Sequence, residues 1–254
     1  PTSANTIKNL ASNWYGEPTP TAFSAPIVPA AAPVVAAAPA PVVQQVVTSS
    51  TTSAAQATPV ASVPKVDAFI NMGSQPYAEA SLLAAGNPQP WYKSPSATAA
   101  FGGAPNATQQ AQFTQDVLSK VDKTFTLSGL NDITLTTDPN VPAAHMMSVV
   151  SGASYSGNAN AIGITDVGNN GFSFIDKLNY ASNEDQLSWA VAHNVAHELM
   201  HAFGVGEHPD DTGTHVDAGV ASWSLLTDPN ATFSPTAASL LQNAGTALSR
   251  AKQD

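Results

Sequence analysis

The sequence predicts an α+β domain over residues 106–254, preceded by a low-complexity segment and an irregular stretch. Apolar residues recur at helical spacing in 106–124 and again in 182–204. Between these two stretches, apolar and polar residues alternate in several short runs, as they do in half-buried strands. We therefore expect helices and strands to share one core, and a change in composition to mark where that core begins.

Residues 1–64 lack the pattern of a packed core. No charged residue occurs over 18–64, and the run APIVPAAAPVVAAAPAPVV at 25–43 is entirely apolar. That run is long enough to suggest a membrane span, but each of its five prolines removes a backbone donor and clashes with helical neighbours. We predict an extended, polyproline-like linker or tether and no transmembrane span.

The expected location is secreted or cell-surface, because linkers of this kind tether exported and surface proteins. The chain opens PTSAN, without the pattern of a signal peptide. Residues 65–105 mix aromatic residues with Pro, Ser and Gly, as in QPWYKSPSATAAFGG. We interpret 65–105 as an irregular segment that packs on the following domain, and a pro-segment that covers a site is a second interpretation.

Local signals fix the predicted elements of the domain. Asn106 with Gln109 three residues later forms a capping box at the start of the helix 106–124. Ser182 or Asn183 caps the long helix, which Gly204 ends. A last helix is predicted from Ser234 and Pro235 to Ser249, and strands are predicted at 132–138, 146–155, 161–167 and 172–176.

Composition excludes several classes of function. The net charge is −10, which argues against a nucleic-acid or anionic-membrane partner. The chain has no cysteine, so it has neither a disulfide framework nor thiol chemistry. No feature of the sequence indicates an oligomeric state.

The stretch HELMHAFGVGEH at 197–208 carries the chemistry. His197 and His201 are four residues apart on a predicted helix, so both imidazoles leave the same face and can offer nitrogens to one zinc ion. Glu198 lies one residue round the helix, where its carboxylate can reach a zinc-activated water without binding the metal. Residues of these types at this spacing predict a Zn²⁺ site with Glu198 as general base.

This stretch resembles the signature H-E-x-x-H-x-x-G-x-x-H of the metzincin clan of zinc metalloendopeptidases. Within that clan, the predicted order of strands and helices is most similar to the matrixin-like branch. His197, Glu198, His201 and Gly204 match that signature in register. The resemblance implies a twisted mixed β-sheet packed on long helices. It also implies a sharp turn at the glycine and a third zinc ligand beyond it.

The third ligand is the first departure from the clan pattern. The eleventh position of the signature is Glu207, and His208 follows one residue later. We predict His208, because three histidines are the clan's commoner set and one extra residue in an irregular turn costs little. Glu207 remains open, as does a later ligand, for which the candidates are Asp210, Asp211 and His215.

The second departure lies below the metal, where clan members carry a methionine turn. SWSLLTDPNATFSP at 222–235 has the right position, with Leu226 in place of methionine. The resemblance further implies that residues 222–235 line a specificity pocket, in which Trp223 and Phe233 are the aromatic residues expected to contact substrate. It also implies that substrate binds as an extended strand on the sheet edge above the site.

The remaining candidate residues carry simpler predictions. His193 lies one turn before His197 and too far from His201 for one ion to bind all three, so we predict a supporting or packing role. His145 and His215 are expected at the surface or in loops. Asp166, Asn169 and Asn170 in 164–176 make structural Ca²⁺ a second cofactor hypothesis beside Zn²⁺.

Together these patterns predict a zinc metalloendopeptidase that acts on a protein or peptide substrate. The first alternative is a structural or adhesive surface protein with a degenerate metalloprotease-like domain. Retention of Glu198 argues against it, because a purely structural zinc site needs no general base. The second alternative is a zinc amidohydrolase that acts on cell-wall peptide, which the sequence does not distinguish.

Overall fold

The computed structural model describes residues 66–73, 76–77 and 84–251, with only the backbone described for 245–251. All of these residues belong to one compact unit. The prediction of a linker over residues 1–64 lies outside the described residues. Within the described chain, no helix is both long and apolar enough to cross a membrane.

Six strands form one mixed sheet. They are β1 (Val66–Asn71), β2 (Ala84–Pro90), β3 (Leu135–Thr136), β4 (Ala143–Tyr155), β5 (Gly163–Thr165) and β6 (Gly171–Phe174). The strand order is β3-β1-β4-β6-β5, and β2 pairs with the C-terminal half of β4. Strands β3, β1, β4 and β6 run parallel to one another, whereas β2 is antiparallel to β4 and β5 is antiparallel to β6. The expectation of an α+β fold with a mixed sheet is therefore confirmed.

Five helices accompany the sheet: α1 (Pro95–Ala100), α2 (Ala107–Leu127), α3 (Glu184–Ala202), α4 (Trp223–Leu226) and α5 (Pro235–Ala251). Two of them, α2 and α3, pack against each other, and α3 also contacts β4, β5 and β6. Almost every residue of α3 from Leu187 onward is buried. The helix that carries the histidines thus runs through the centre of the domain.

The predicted features of α2 are confirmed. Asn106 and Gln109 form both hydrogen bonds of the capping box, each at 3.0 Å. The face at helical spacing is buried, and its members are Phe113, Val117, Val121 and Phe125. Asn183, one of the two predicted caps, begins α3 by accepting a hydrogen bond from the Gln186 N–H at 2.9 Å.

The described residues of the segment 65–105 are more ordered than its composition predicts. Residues 66–71 form β1, which lies between β3 and β4 and is nearly fully buried. Residues 84–90 form β2 despite two prolines and a glycine, and the register shifts between Gly86 and Gln89, where the first of the two prolines lies. Trp91 of this segment is fully buried and stacks on Phe113 of α2 at 4.3 Å between ring centroids.

Candidate metal centre

The last two turns of α3 carry His197, Glu198 and His201, all of them buried. The helix ends at Ala202, and Gly204 then adopts φ 99°. A side chain at Gly204 would meet no atom within 4 Å, so only the left-handed backbone requires glycine there. The Gly204 N–H donates to the His201 carbonyl at 2.9 Å, which closes the helix and redirects the chain.

Three imidazole nitrogens converge just beyond this turn. The Nε2 atoms of His197 and His201 lie 3.3 Å apart, and His208 Nε2 lies 3.2 Å from each. Together they form a nearly equilateral triangle. Within the described residues, this is the one group of three or more His, Asp or Glu side chains whose ligand atoms converge.

Backbone carbonyls orient two of the rings. His197 Nδ1 lies 2.7 Å from the Val216 carbonyl oxygen, and His201 Nδ1 lies 2.6 Å from that of Val205. A carbonyl only accepts, so each Nδ1 must carry a proton, and in a neutral ring each Nε2 then presents a lone pair. These two Nε2 atoms, 3.3 Å apart, are therefore both acceptors with no proton between them. A cation placed between them would bind both lone pairs.

The environment keeps these rings neutral. Burial lowers the pKa of His201 to about 4 and lowers that of His197 well below its usual value. Burial also lowers the pKa of His208, although the Asp217 carboxylate opposes this shift. Neutral imidazole is the form that binds metal. The triad can therefore hold a metal ion at neutral pH without first releasing protons.

His208, and not Glu207, completes the group. Glu207 is exposed and lines a separate groove with Phe203 and Leu240. The extra residue between Gly204 and His208 is absorbed by the irregular turn. The later candidates Asp210, Asp211 and His215 lie outside the triad.

Asp210 instead organises the loop that presents His208. It is buried, and its carboxylate accepts the backbone N–H groups of Thr212, Thr214 and His215 at 2.7–2.8 Å. Burial alone would raise the pKa of Asp210, but these bonds and the Thr212 hydroxyl hold it well below its usual range. The sequence DDTGTH is typical of such a turn, but its link to the site was not predicted.

A second buried carboxylate anchors the other end of this loop. Asp217 is fully buried and accepts the N–H and the hydroxyl of Ser234, each at 2.6 Å. Ser234 also caps the start of α5, because its hydroxyl accepts the Ala237 N–H at 3.2 Å. The neighbouring Val216 carbonyl, which orients His197, is thereby fixed to the rest of the domain.

Glu198 points from the same helix towards the edge of the sheet. Its side chain is 4% exposed, and Thr165 Oγ1 donates to its Oε2 at 2.7 Å. Burial raises the pKa of Glu198 to about 8, and the hydrogen bond from Thr165 partly offsets this rise. A side chain at Gly163 would overlap the Glu198 carboxyl group, so β5 passes over it only because it has glycine there.

His193 is not part of the triad, and the structure gives it a packing role. It is buried, stacks on Trp189 at 5.3 Å, and its Nδ1 donates to the Leu226 carbonyl at 2.8 Å. Burial lowers its pKa to about 4. His193 therefore ties α3 to α4, whose last residue, Leu226, is fully buried.

The two aromatic candidates for a specificity pocket differ in position. Phe233 is buried and stacks on Phe125 at 5.4 Å, so it belongs to the core instead of lining a pocket. Trp223 is half-buried, with its ring 6.0 Å from that of the exposed Tyr180. Only Trp223 remains available to contact a bound molecule.

The loop predicted as a calcium candidate uses its side chains internally. Asn169 Nδ2 donates to Asp166 at 3.1 Å, and Asn170 Oδ1 accepts the Met146 N–H at 2.7 Å. His145 Nδ1 lies 2.8 Å from the Asn169 carbonyl oxygen and donates to it. Nothing in the described part of the chain supports a calcium site, so Ca²⁺ remains a prediction.

Comparison with protein-family models, with curated proteins and with solved structures gave no match. The functional conclusion therefore rests on the geometry of the histidine triad and of Glu198.

Proposed function

We propose that this protein is a zinc-dependent endopeptidase with a metzincin-like domain. The observation that carries the proposal is the triangle of three neutral Nε2 atoms with Glu198 beside it on the same helix. Two nitrogens bound to one tetrahedral zinc at 2.0–2.1 Å lie about 3.3–3.4 Å apart. The separations of 3.2–3.3 Å fit zinc closely, and an all-nitrogen set with neutral rings suits its chemistry.

His197, His201 and His208 would hold the ion. When bound, zinc supplies a Lewis acid that activates water and polarises a carbonyl, and its charge favours the ionised form of Glu198. Glu198 then takes a proton from the water that attacks the scissile carbonyl carbon. It returns this proton to the leaving amine nitrogen as the C–N bond breaks, so the carboxylate is regenerated.

Strand β5 supports the assignment of a peptide substrate. It is an edge strand, and within the described chain it pairs only with β6. The Ile162 carbonyl accepts from Phe174, and Asp166 N–H donates to Asn170. By alternation, the backbone groups of Gly163 and Thr165 point away from β6. They are the groups with which an extended peptide would pair, directly beside Glu198.

The site argues against a degenerate, purely structural domain. The shifted histidine does reach the other two, and Leu226 is fully buried where the clan has methionine. A buried carboxylate at Glu198 costs folding energy that a structural metal site would not require. The proposal that the protein acts outside the cell rests on the composition of residues 1–64 alone.

The test is cleavage of an unfolded protein by the purified full chain. We expect cleavage that a chelator abolishes, that added Zn²⁺ restores, and that Glu198→Gln removes while zinc content stays at one ion per chain. Bound zinc without chelator-sensitive cleavage would contradict the proposal and favour a structural role. Cleavage restricted to cell-wall peptides in a substrate panel would contradict it in favour of a zinc amidohydrolase.

A further inference from the structure

The position of the Glu198 carboxylate depends on the sheet as well as on its own helix. Thr165 and Glu198 are both buried, at 3% and 4% exposure, and lie 33 residues apart in sequence. Thr165 Oγ1 lies 2.7 Å from Glu198 Oε2 and 3.1 Å from the Glu198 backbone oxygen. A hydroxyl has one proton, so the shorter contact to the carboxylate is the hydrogen bond.

Two glycines leave space for this contact. At Gly171 on β6, a Cβ atom would overlap Thr165 Oγ1 and lie 2.7 Å from the Ile164 carbonyl oxygen. At Gly163 on β5, a Cβ atom would overlap Oε1 and lie 2.7 Å from the Cγ of Glu198. Neither glycine has a left-handed backbone that would explain it. Glycine is required at both positions because a side chain at either one would overlap the Thr165–Glu198 pair.

A second polar tie fixes the register between the helix and this hairpin. Asn194 is fully buried one turn before Glu198, on the same side of α3. Its Nδ2 group donates to the Ile162 carbonyl at 2.9 Å and to Ser173 Oγ at 2.7 Å. Asn194 therefore ties α3 both to β6 and to the residue that precedes β5, three residues from Thr165 along the chain.

We propose that Thr165 is a positioning residue, which holds Oε2 of Glu198 so that Oε1 alone exchanges the proton with water and with the leaving amine. This inference rests on the proposed peptidase function. Oε1 receives no hydrogen bond from any described residue, whereas Oε2 receives one from Thr165. A carboxylate held at one oxygen presents the other in a fixed direction, which is how orientation contributes to rate.

The test compares Thr165→Val, Thr165→Ser and a matched control, Thr124→Val. Thr124 is fully buried on α2 and its hydroxyl donates to the Lys120 carbonyl at 2.8 Å, away from the site. For Thr165→Val we expect kcat to fall by roughly 10–100-fold, with KM and zinc content unchanged. Thr165→Ser should recover most of kcat, and Thr124→Val should retain it. Equal kcat in the two valine variants, or no recovery with serine, would overturn the inference.

A structural readout separates this inference from the proposed function. In crystal structures of the zinc-loaded protein, the wild type and Thr165→Ser should keep Glu198 in one rotamer, with Oε2 on the residue 165 hydroxyl. In Thr165→Val the carboxylate should rotate or occupy several positions. An unmoved carboxylate overturns the inference even if the wild type proves inactive, whereas inactivity with a displaced carboxylate contradicts only the peptidase function.

Discussion

Replacing Gly163 with alanine tests how tightly the general base is enclosed. The new Cβ would lie 2.7 Å from Cγ and 2.8 Å from Cδ of Glu198. Carbon atoms in ordinary contact lie at least about 3.5 Å apart, so the carboxylate must move by about 0.7–0.8 Å. It cannot do so freely, because Oε2 accepts a hydrogen bond from the Thr165 hydroxyl and both side chains are buried.

Two effects of known size follow from that displacement. A reacting group displaced by about 1 Å typically loses about 10²-fold in rate, so we expect kcat of Gly163→Ala to fall to about one hundredth. Overpacking a buried site costs about 1–3 kcal/mol, and a lower free energy of unfolding should accompany the lost activity. Zinc content should remain at one ion per chain, because the three atoms nearest to the added Cβ all belong to Glu198 and none to the histidine triad.

The assay measures kcat, zinc content and unfolding by denaturant for Gly163→Ala beside Gly103→Ala. Gly103 has no left-handed backbone and no atom within 4 Å of an added Cβ, so its variant should behave like the wild type. If Gly163→Ala kept the kcat and the stability of Gly103→Ala, the close approach of β5 to Glu198 would be refuted. Loss of zinc from Gly163→Ala would also contradict the reasoning.

Three further predictions concern the ligands, their loop and pH. His208→Ala should weaken zinc binding by more than the roughly 10–100-fold that is lost when a residue hydrogen-bonded to a ligand is removed, whereas Glu207→Ala should leave zinc affinity unchanged. Titration calorimetry measures both affinities, and a larger loss in Glu207→Ala than in His208→Ala would make Glu207 the ligand. Asp210→Ala should weaken zinc binding by about 10–100-fold without removing a ligand, because three backbone N–H groups lose their acceptor; unchanged affinity would show that the loop holds its shape without Asp210. Burial lowers the pKa of His193 from 6.5 to about 4, so its contribution to stability is complete above pH 6.5 and falls by up to about 3 kcal/mol as the pH drops towards 4. Denaturant unfolding of the metal-free protein should show that His193→Gln loses less stability over this range than the wild type does. Glu198 has a raised pKa, so its own contribution to stability increases as the pH falls from about 8 to 4.5. This contribution is the same in both proteins and is removed when the stability of the variant is subtracted from that of the wild type. Equal pH dependence in both proteins would mean that His193 is not buried as a neutral base.

The long helices were predictable because their signals are local. The capping box at Asn106 and the buried face of α2 follow from residues within a few positions of each other. The same holds for the two ligands on α3, which share a helix face by spacing alone. Strand β1 was not predicted, because six residues buried in a parallel sheet show no alternation and are recognisable only from their partners.

The parts of the site that sequence reasoning missed are contacts between distant segments. Thr165 meets Glu198 across 33 residues, and Val216 orients His197 across 19. Neither a lone threonine nor a backbone carbonyl carries a sequence signal. Phe233 was misplaced for a related reason, since an aromatic residue near a site and one in the core look alike until Phe125 is seen stacked on it.

The most direct test of the central claim is anomalous scattering from crystals of the zinc-loaded chain, measured on both sides of the zinc edge. The account predicts one fully occupied zinc ion per chain, bound by Nε2 of His197, His201 and His208, with the Glu198 carboxylate outside the ligand set. No zinc peak at the triad, a peak held by other residues, or Glu198 as a direct ligand would contradict it.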